Sequence, residues 1–378
     1  MTHGHGSLGL APARPGQAIA GSMSWMGRRM RWRPRIGLLA LTLALALLPP
    51  GHGDAPSPLA PPGHDADAGA ARDSGSHATP LPPYYIEALR TRRYPGGRLA
   101  LGPPLRRGAG FTVYRMSWPS GGQTMTGSIE IPTGRGPFPV VLVAHGYIAP
   151  AAYVVGLDSW RYGDALAAHG FIVAAPDYPD HAGSGPGPTG MPAVVGIAVT
   201  ALDLVSSLRT LRQVDARRLA VLGHSQGGGV ALLVMVLEPR IRAVALFAPD
   251  SSDMADNARR WWAGNPAAAG PLGTPDQNPA GYAHISPRRY FRRGQPPVLL
   301  VQGTADEQIP AAWTTATYRA LRRAGVKTRL VWLPGAPHIM TGADLAAENA
   351  AAEAWIRQAL ALGSGVSGAA APRRRGGA

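Results

Sequence analysis

Five short apolar runs limit the folds open to this chain more than any other feature: FPVVLVA at 138–144, FIVAA at 171–175, RLAVL at 218–222, IRAVALF at 241–247 and PVLLV at 297–301. Each is near-continuous rather than alternating, which is the pattern of a strand covered on both faces. Helical patterns fall between and after them, over 159–169, 193–212, a stretch ending about Leu237, 311–324 and 344–362, with a last strand TRLVWL at 328–333. Strands and helices in alternation predict an α/β architecture built on a mostly parallel sheet with helices on both faces. Ahead of them, residues 98–131 hold partly alternating runs between glycines, including Phe111–Trp118 and Met125–Ile131, which predict an antiparallel opening. In such sheets ligands bind at the carboxyl ends of the strands, so candidate functional residues are sought there.

The flanks read differently. Arg28, Arg29, Arg31, Arg33 and Arg35 precede Ile36–Leu48, a nearly unbroken apolar run that ends at Pro49-Pro50. This basic-then-apolar order is that of a secretory leader, so residues 1–48 are expected to be a signal peptide region and the protein secreted or periplasmic. The apolar run is shorter than the ~20 residues a membrane span needs, so no stable membrane anchor is expected. Residues 49–83 hold nine Pro and five Gly and read as a disordered Pro/Gly-rich linker. Residues 84–362 are expected to be one folded α/β domain, followed by a disordered basic tail at 363–378.

The net charge of +15 is concentrated in those flanks. The first 50 residues contribute six Arg and no acid, and the tail contributes Arg373, Arg374 and Arg375, which leaves +6 for the remainder. No basic stripe interleaved with aromatics is visible, so no nucleic-acid partner is expected. With no cysteine, the chain has neither a disulfide framework nor a thiol nucleophile.

The chemistry centres on the turn after RLAVL. Gly223-His224-Ser225-Gln226-Gly227 places a serine between two glycines, with Gly228 and Gly229 behind it, where a strand passes into a helix. A serine in so tight a turn sits on strained backbone with its hydroxyl exposed, and side chains at the glycine positions would collide with neighbouring backbone. Ser225 is the candidate nucleophile. It needs a base and an acid to orient that base. PVLLV runs into Gln302-Gly303-Thr304-Ala305-Asp306, which projects Asp306 from a strand end; Glu307, Asp250 and Asp253 are its rivals. His338 follows the last strand in a Pro/Gly turn and is the candidate base. An oxyanion hole needs two backbone N–H donors, expected from Gln226 and from Tyr147 in the loop after FPVVLVA.

Other polar residues read as structural. His145 is expected to pack beneath the oxyanion loop, and His224 to be structural. Asp177, Asp180 and His181 could suggest a metal cluster but read as a loop, with Asp180 or His181 bordering the site; no metal or other cofactor is expected. Residues 251–296 carry Trp261, Trp262, Tyr282, Tyr290 and Phe291. They form either a small cap or acyl-pocket wall, with Trp261, Trp262 and Tyr147 touching substrate, or a surface helix pair with core aromatics. Trp160 and Tyr153 are further candidates for lining a cleft.

The motifs HGY at 145–147, GHSQGG at 223–228, SPRRYF at 286–291, GTADEQIP at 303–310 and PGAPH at 334–338 resemble the α/β-hydrolase superfamily, in its esterase, dienelactone-hydrolase and prolyl-oligopeptidase-like group. The resemblance covers about residues 98–362. It implies an α/β-hydrolase fold with an eight-stranded sheet, a triad in the chain order Ser225, Asp306, His338, and a serine acyl-enzyme. HGY followed by the GHS elbow is also similar to secreted polyester hydrolases. A chain of this length has no room for the propeller of the oligopeptidases, and without cysteine it lacks the terminal disulfide frequent in polyester hydrolases. The expected function is a secreted serine hydrolase that cleaves carboxylic esters, small-molecule or polymeric. The alternatives are a peptidase or acyltransferase of the same fold, and a non-catalytic binding protein.

Overall fold

The computed structural model describes residues 80–362 other than Gly264. The expected leader at 1–48, nearly all of the expected linker at 49–83 and the expected tail at 363–378 lie outside the described residues.

Nine strands form one sheet: β1 (Ala100–Gly108), β2 (Phe111–Ser120), β3 (Gln123–Pro132), β4 (Phe138–Ala144), β5 (Ile172–Pro176), β6 (Val214–His224), β7 (Ile241–Phe247), β8 (Val298–Gly303) and β9 (Thr328–Leu333). Their order across the sheet is β1-β2-β3-β5-β4-β6-β7-β8-β9. The first three strands run antiparallel, as does the junction of β3 with β5; every pairing from β5 to β9 is parallel. The sheet thus has one strand more than the expected eight. The extra strand is β1, whose sequence ALGPPLRRG is mostly exposed and shows no alternation. Its ladder with β2 is interrupted around Leu101, Pro104 and Arg106, an irregularity tolerated at a sheet edge, so its own sequence carries no strand signal.

The central strands are buried on both faces because side chains alternate along them. In β4, Val140, Leu142 and Ala144 join one apolar cluster while Val141 and Val143 join the other. The first cluster is completed by α1 (Ile86–Thr91), α3 (Ala193–Leu208) and α4 (Gln226–Leu237), the second by α2 (Trp160–Ala168) and α9 (Gly342–Ala359). Helix α8 (Ala311–Arg323) lies between β8 and β9 in the chain and adds Leu321 to the first cluster. These layers hold the carboxyl ends of β4, β6, β7, β8 and β9 in a row.

Between β7 and β8 the chain forms short helical pieces: α5 (Met254–Asn257), a π-turn over Ala258–Trp262, α6 (Pro266–Ala269) and α7 (Pro279–Ile285). Both readings of this stretch hold in part. Tyr282 is core, and Tyr290 and Phe291 pack against that core, whereas Trp261 and Trp262 border a large cavity.

Candidate functional site

The backbone turns tightly at Ser225, between β6 and α4. Its φ of +54° and ψ of −121° lie in a region that non-glycine residues avoid. The bend needs both flanking glycines. A Cβ on Gly223 would stand 2.1 Å from the Gly227 carbonyl oxygen, and one on Gly227 would stand 2.1 Å from the Ala144 carbonyl oxygen. Gly228 is also crowded, with Pro249 Cβ at 2.5 Å, whereas Gly229 has only ordinary contacts. The serine is pinned by its N–H to the Phe247 carbonyl (2.9 Å), and its own carbonyl accepts from Gly228 and Asp250 (2.8 and 2.9 Å). Its hydroxyl has no hydrogen-bond partner among the described residues.

Asp306 and His338 come together, as the spacing predicts. His338 Nδ1 donates to Asp306 Oδ2 at 3.1 Å, and both side chains are only 2 % exposed. Asp306 is itself fixed: Oδ1 accepts the Ile309 and Gln308 N–H groups at 2.8 and 2.9 Å, and Oδ2 also accepts Gln302 Nε2 at 3.1 Å. Burial pushes the carboxyl up. The hydrogen bond from His338 and those from the Ile309 and Gln308 amides outweigh it and hold Asp306 below the usual carboxylate range. Nothing in the sequence marked Gln302, a buried strand residue, as the support of this acid.

Two of the three rival acids are engaged elsewhere. Glu307 Oε2 accepts the backbone N–H of His338 at 3.2 Å. Asp253 caps α5 through the Ala255 N–H (3.1 Å) and pairs with Arg288 (2.9 Å). Asp250 lines the cavity; burial pushes it up to about 7, against the pull of His338.

Ser225, Gln226, His224, His338, Asp250, Gly146 and Tyr147 all border one cavity of about 1120 Å³. Neither the Gln226 nor the Tyr147 backbone N–H donates to another group among the described residues. Two free donors on the loops after β6 and β4 fit the stabilisation of an oxyanion, helped by the amino end of α4. Of the expected substrate contacts, Tyr147 is 70 % exposed and Trp261 41 % exposed, and both border the cavity together with Trp262 and Trp160. No Ser225–His338 hydrogen bond is present; such bonds often tighten only around a bound substrate.

Of three expectations for the flanking residues, the structure keeps one and corrects two. His145 is buried, stacked on Tyr178 with ring centroids 3.7 Å apart, and burial drives its ring down to about 4, so it is a neutral support of the loop. Tyr153 does not line the cavity: it is buried and donates to Asp177 at 2.7 Å. Neither Asp180 nor His181 borders the cavity. His181 instead bridges the Pro179 and Ile148 carbonyls at 2.8 Å each, and so braces the chain just past Tyr147. Asp177 accepts Thr126 and Tyr153 and so braces the loop. Asp158, which sequence reading passed over, accepts both His224 Nδ1 and the Gly146 N–H at 2.8 Å.

Comparison with known proteins identifies related families and folds. The model of the prolyl oligopeptidase family matches residues 200–363, and a PET hydrolase-like model matches residues 108–258. A search of the curated proteins finds no match. Among solved structures, acetyl xylan esterase 1 from Thermoanaerobacterium is similar at 20 % identity and a TM-score of 0.54, over 74 % of this chain and 93 % of that one. An S-formylglutathione hydrolase from Agrobacterium tumefaciens is similar at 17 % and 0.53, over 69 % and 99 %. A puromycin-hydrolyzing peptidase from Mycobacterium tuberculosis is similar at 21 % and 0.52, over 70 % of this chain. The chain spans 40 % of the length of that peptidase, and 36 % of a similar Bacteroides ovatus chain. The sheet order, the serine elbow and the two family models, over residues 200–363 and 108–258, support one reading: the chain is an α/β-hydrolase of the serine-hydrolase type.

Proposed function

We propose that this protein is a secreted or periplasmic serine hydrolase that cleaves carboxylic esters through Ser225, His338 and Asp306. The observation that carries the reading is the buried Asp306–His338 hydrogen bond at the rim of the cavity that also holds the strained Ser225. In the proposed mechanism His338 Nε2 takes the Ser225 proton as Oγ attacks the ester carbonyl. Asp306 holds the ring with Nδ1–H toward itself and stabilises the cation that forms. The Tyr147 and Gln226 N–H groups receive the oxyanion. His338 then protonates the leaving alcohol, and a water deprotonated by the same ring releases the acid and restores the serine.

The ester reading takes its substrate class from the names of similar solved structures, among them an acetyl xylan esterase. Peptide cleavage is the second reading and rests on the oligopeptidase family match. Export rests on the basic and apolar segment at 28–48. Edman sequencing of the protein from the extracellular or periplasmic fraction checks it; a mature chain that retains the Arg28–Arg35 cluster contradicts it.

The enzymatic reading is tested with p-nitrophenyl esters of graded acyl length, matching p-nitroanilides and a fluorophosphonate probe. Wild type is expected to turn over esters faster than anilides and to be labelled, and Ser225→Ala to lose both properties. Faster anilide cleavage selects the peptidase reading. Absence of turnover and labelling in wild type removes the enzymatic one.

A further inference from the structure

The two expected oxyanion donors lie on different loops, Tyr147 after β4 and Gln226 after β6, and no chain connectivity fixes one against the other. An oxyanion hole works only if both N–H groups are held to about 0.5 Å of the productive geometry. The pairing of β4 with β6 ends at Ala144 opposite Gly223, so the loops beyond it need a further tie.

Asp158 occupies that place. It lies just ahead of α2 with φ +68°, a left-handed conformation in which a non-glycine residue is strained. One oxygen, Oδ2, accepts two hydrogen bonds at 2.8 Å: from the N–H of Gly146, the residue before Tyr147, and from Nδ1 of His224, two residues before Gln226. Burial opposes the charge on Asp158. The adjacent His224 and the Gly146 N–H outweigh it and keep the carboxyl far below the usual range. The three partners crowd one point: a Cβ on Gly146 would stand 3.2 Å from His224 Nδ1, 3.3 Å from Asp158 Oδ2 and 3.3 Å from Ser225 Cβ. The His224 ring is buried and rests against the His338 ring, with centroids 4.8 Å apart.

We propose that Asp158 is a positioning residue, which with His224 locks the oxyanion loop to the nucleophile elbow and backs the ring of His338. The inference rests on the serine-hydrolase reading above. The role is geometric rather than electrostatic. A negative charge near the oxyanion hole repels the developing oxyanion, and here it is partly offset by Arg161, whose Nη1 stands 3.9 Å from Oδ1. A neutral amide at position 158 keeps an oxygen able to accept both hydrogen bonds, whereas alanine keeps neither.

The test compares Asp158→Ala, Asp158→Asn and His224→Ala, each first checked for folding by circular dichroism and thermal melting. Ester kcat and KM are measured per fluorophosphonate-titrated serine. Asp158→Ala is expected to lower kcat about 100-fold, the scale of losing one oxyanion donor, with KM moving less than about threefold. Asp158→Asn is expected to recover kcat to within about tenfold of wild type. His224→Ala is expected to resemble Asp158→Ala, and the double variant to be no worse than either single, as for parts of one unit. A folded Asp158→Ala with kcat within about threefold of wild type overturns the proposal, and so do losses that multiply in the double variant. Should Asp158→Ala not fold, His224→Gln carries the same comparison. Fluorophosphonate labelling needs the serine and the oxyanion pocket but no ester, so its rate in these variants tests the bridge even when ester turnover is absent, and the two failures are told apart.

Discussion

At His338 two neighbouring carboxylates divide the work. Asp306 meets the ring nitrogen and Glu307 meets the backbone N–H, so Asp306 alone can set the tautomer. Asp306→Asn is therefore expected to lower kcat by about 10³–10⁴-fold, while Glu307→Gln and Asp250→Asn stay within about tenfold. Asp250 is a poor orienting acid because burial holds it near 7, so that it is partly protonated at neutral pH. A larger loss in Asp250→Asn than in Asp306→Asn would move the triad to the other acid. A second residue-scale prediction concerns Glu130 on β3, whose carboxylate oxygens have no hydrogen-bond partner among the described residues. Burial, and after it the charge of Asp164, raise it from the ordinary 4.5 to about 9. With the folded value above the unfolded one, the folded state keeps a proton that the unfolded chain releases, so stability falls as pH rises from about 4.5 toward 9. Glu130→Gln removes that dependence. Its melting temperature relative to wild type is expected to climb from pH 5 to pH 9, and a gap that stays constant with pH contradicts the assignment. Motif spacing made Ser225, Asp306 and His338 legible in the sequence, because strand ends fix where those side chains emerge. Asp158 was not legible: its role depends on a left-handed turn meeting two distant loops, and no local pattern encodes that meeting.

The elbow illustrates what an element owes to single atoms. Three glycines open α4, and sequence reading attributed all three to a close approach. The structure separates them: Gly227 meets the Ala144 carbonyl and Gly228 meets Pro249, but Gly229 does not need its bareness. Gly229→Ala is expected to be neutral or to stabilise by up to about 1 kcal/mol through helix propensity. Gly227→Ala forces backbone apart and is expected to destabilise by roughly 1–3 kcal/mol or more, and to abolish turnover because the elbow cannot close. Urea unfolding of the two variants decides it: equal effects would mean that the 2.1 Å approach relaxes without cost. The central elements were legible for the same reason that they are stable. Continuous apolar runs of this length are the pattern of strands with both faces covered, and β4 and β7 begin and end where the runs do. Strand β1 failed this test because an edge strand exposed on most of its residues has no apolar run to show.

On the scale of the whole molecule, the sheet supplies the reacting groups and the excursion between β7 and β8 supplies the wall they face. Trp261 stands on the π-turn with the Arg260 guanidinium 4.6 Å over its ring, and Arg260 in turn donates to the Gln308 carbonyl at 2.8 Å. The wall is thereby tied to the loop that carries Asp306. An indole fixed from one side and 41 % exposed on a cavity of about 1120 Å³ is suited to cover an apolar group of the substrate. Burying a large apolar side chain is worth roughly 1.5–3 kcal/mol, or about 10–100-fold in kcat/KM. That gain accrues only to substrates long enough to reach the ring. Trp261→Ala is accordingly expected to lower kcat/KM by about tenfold or more for p-nitrophenyl octanoate and less than threefold for the acetate, with Asp306–His338 chemistry intact. Equal losses on both esters would mean that the residue holds up the Asp306 loop through Arg260 rather than contacting substrate. Arg260→Ala, which cuts that tie but leaves the indole, separates the two: it should reproduce an equal loss and leave the chain-length preference in place.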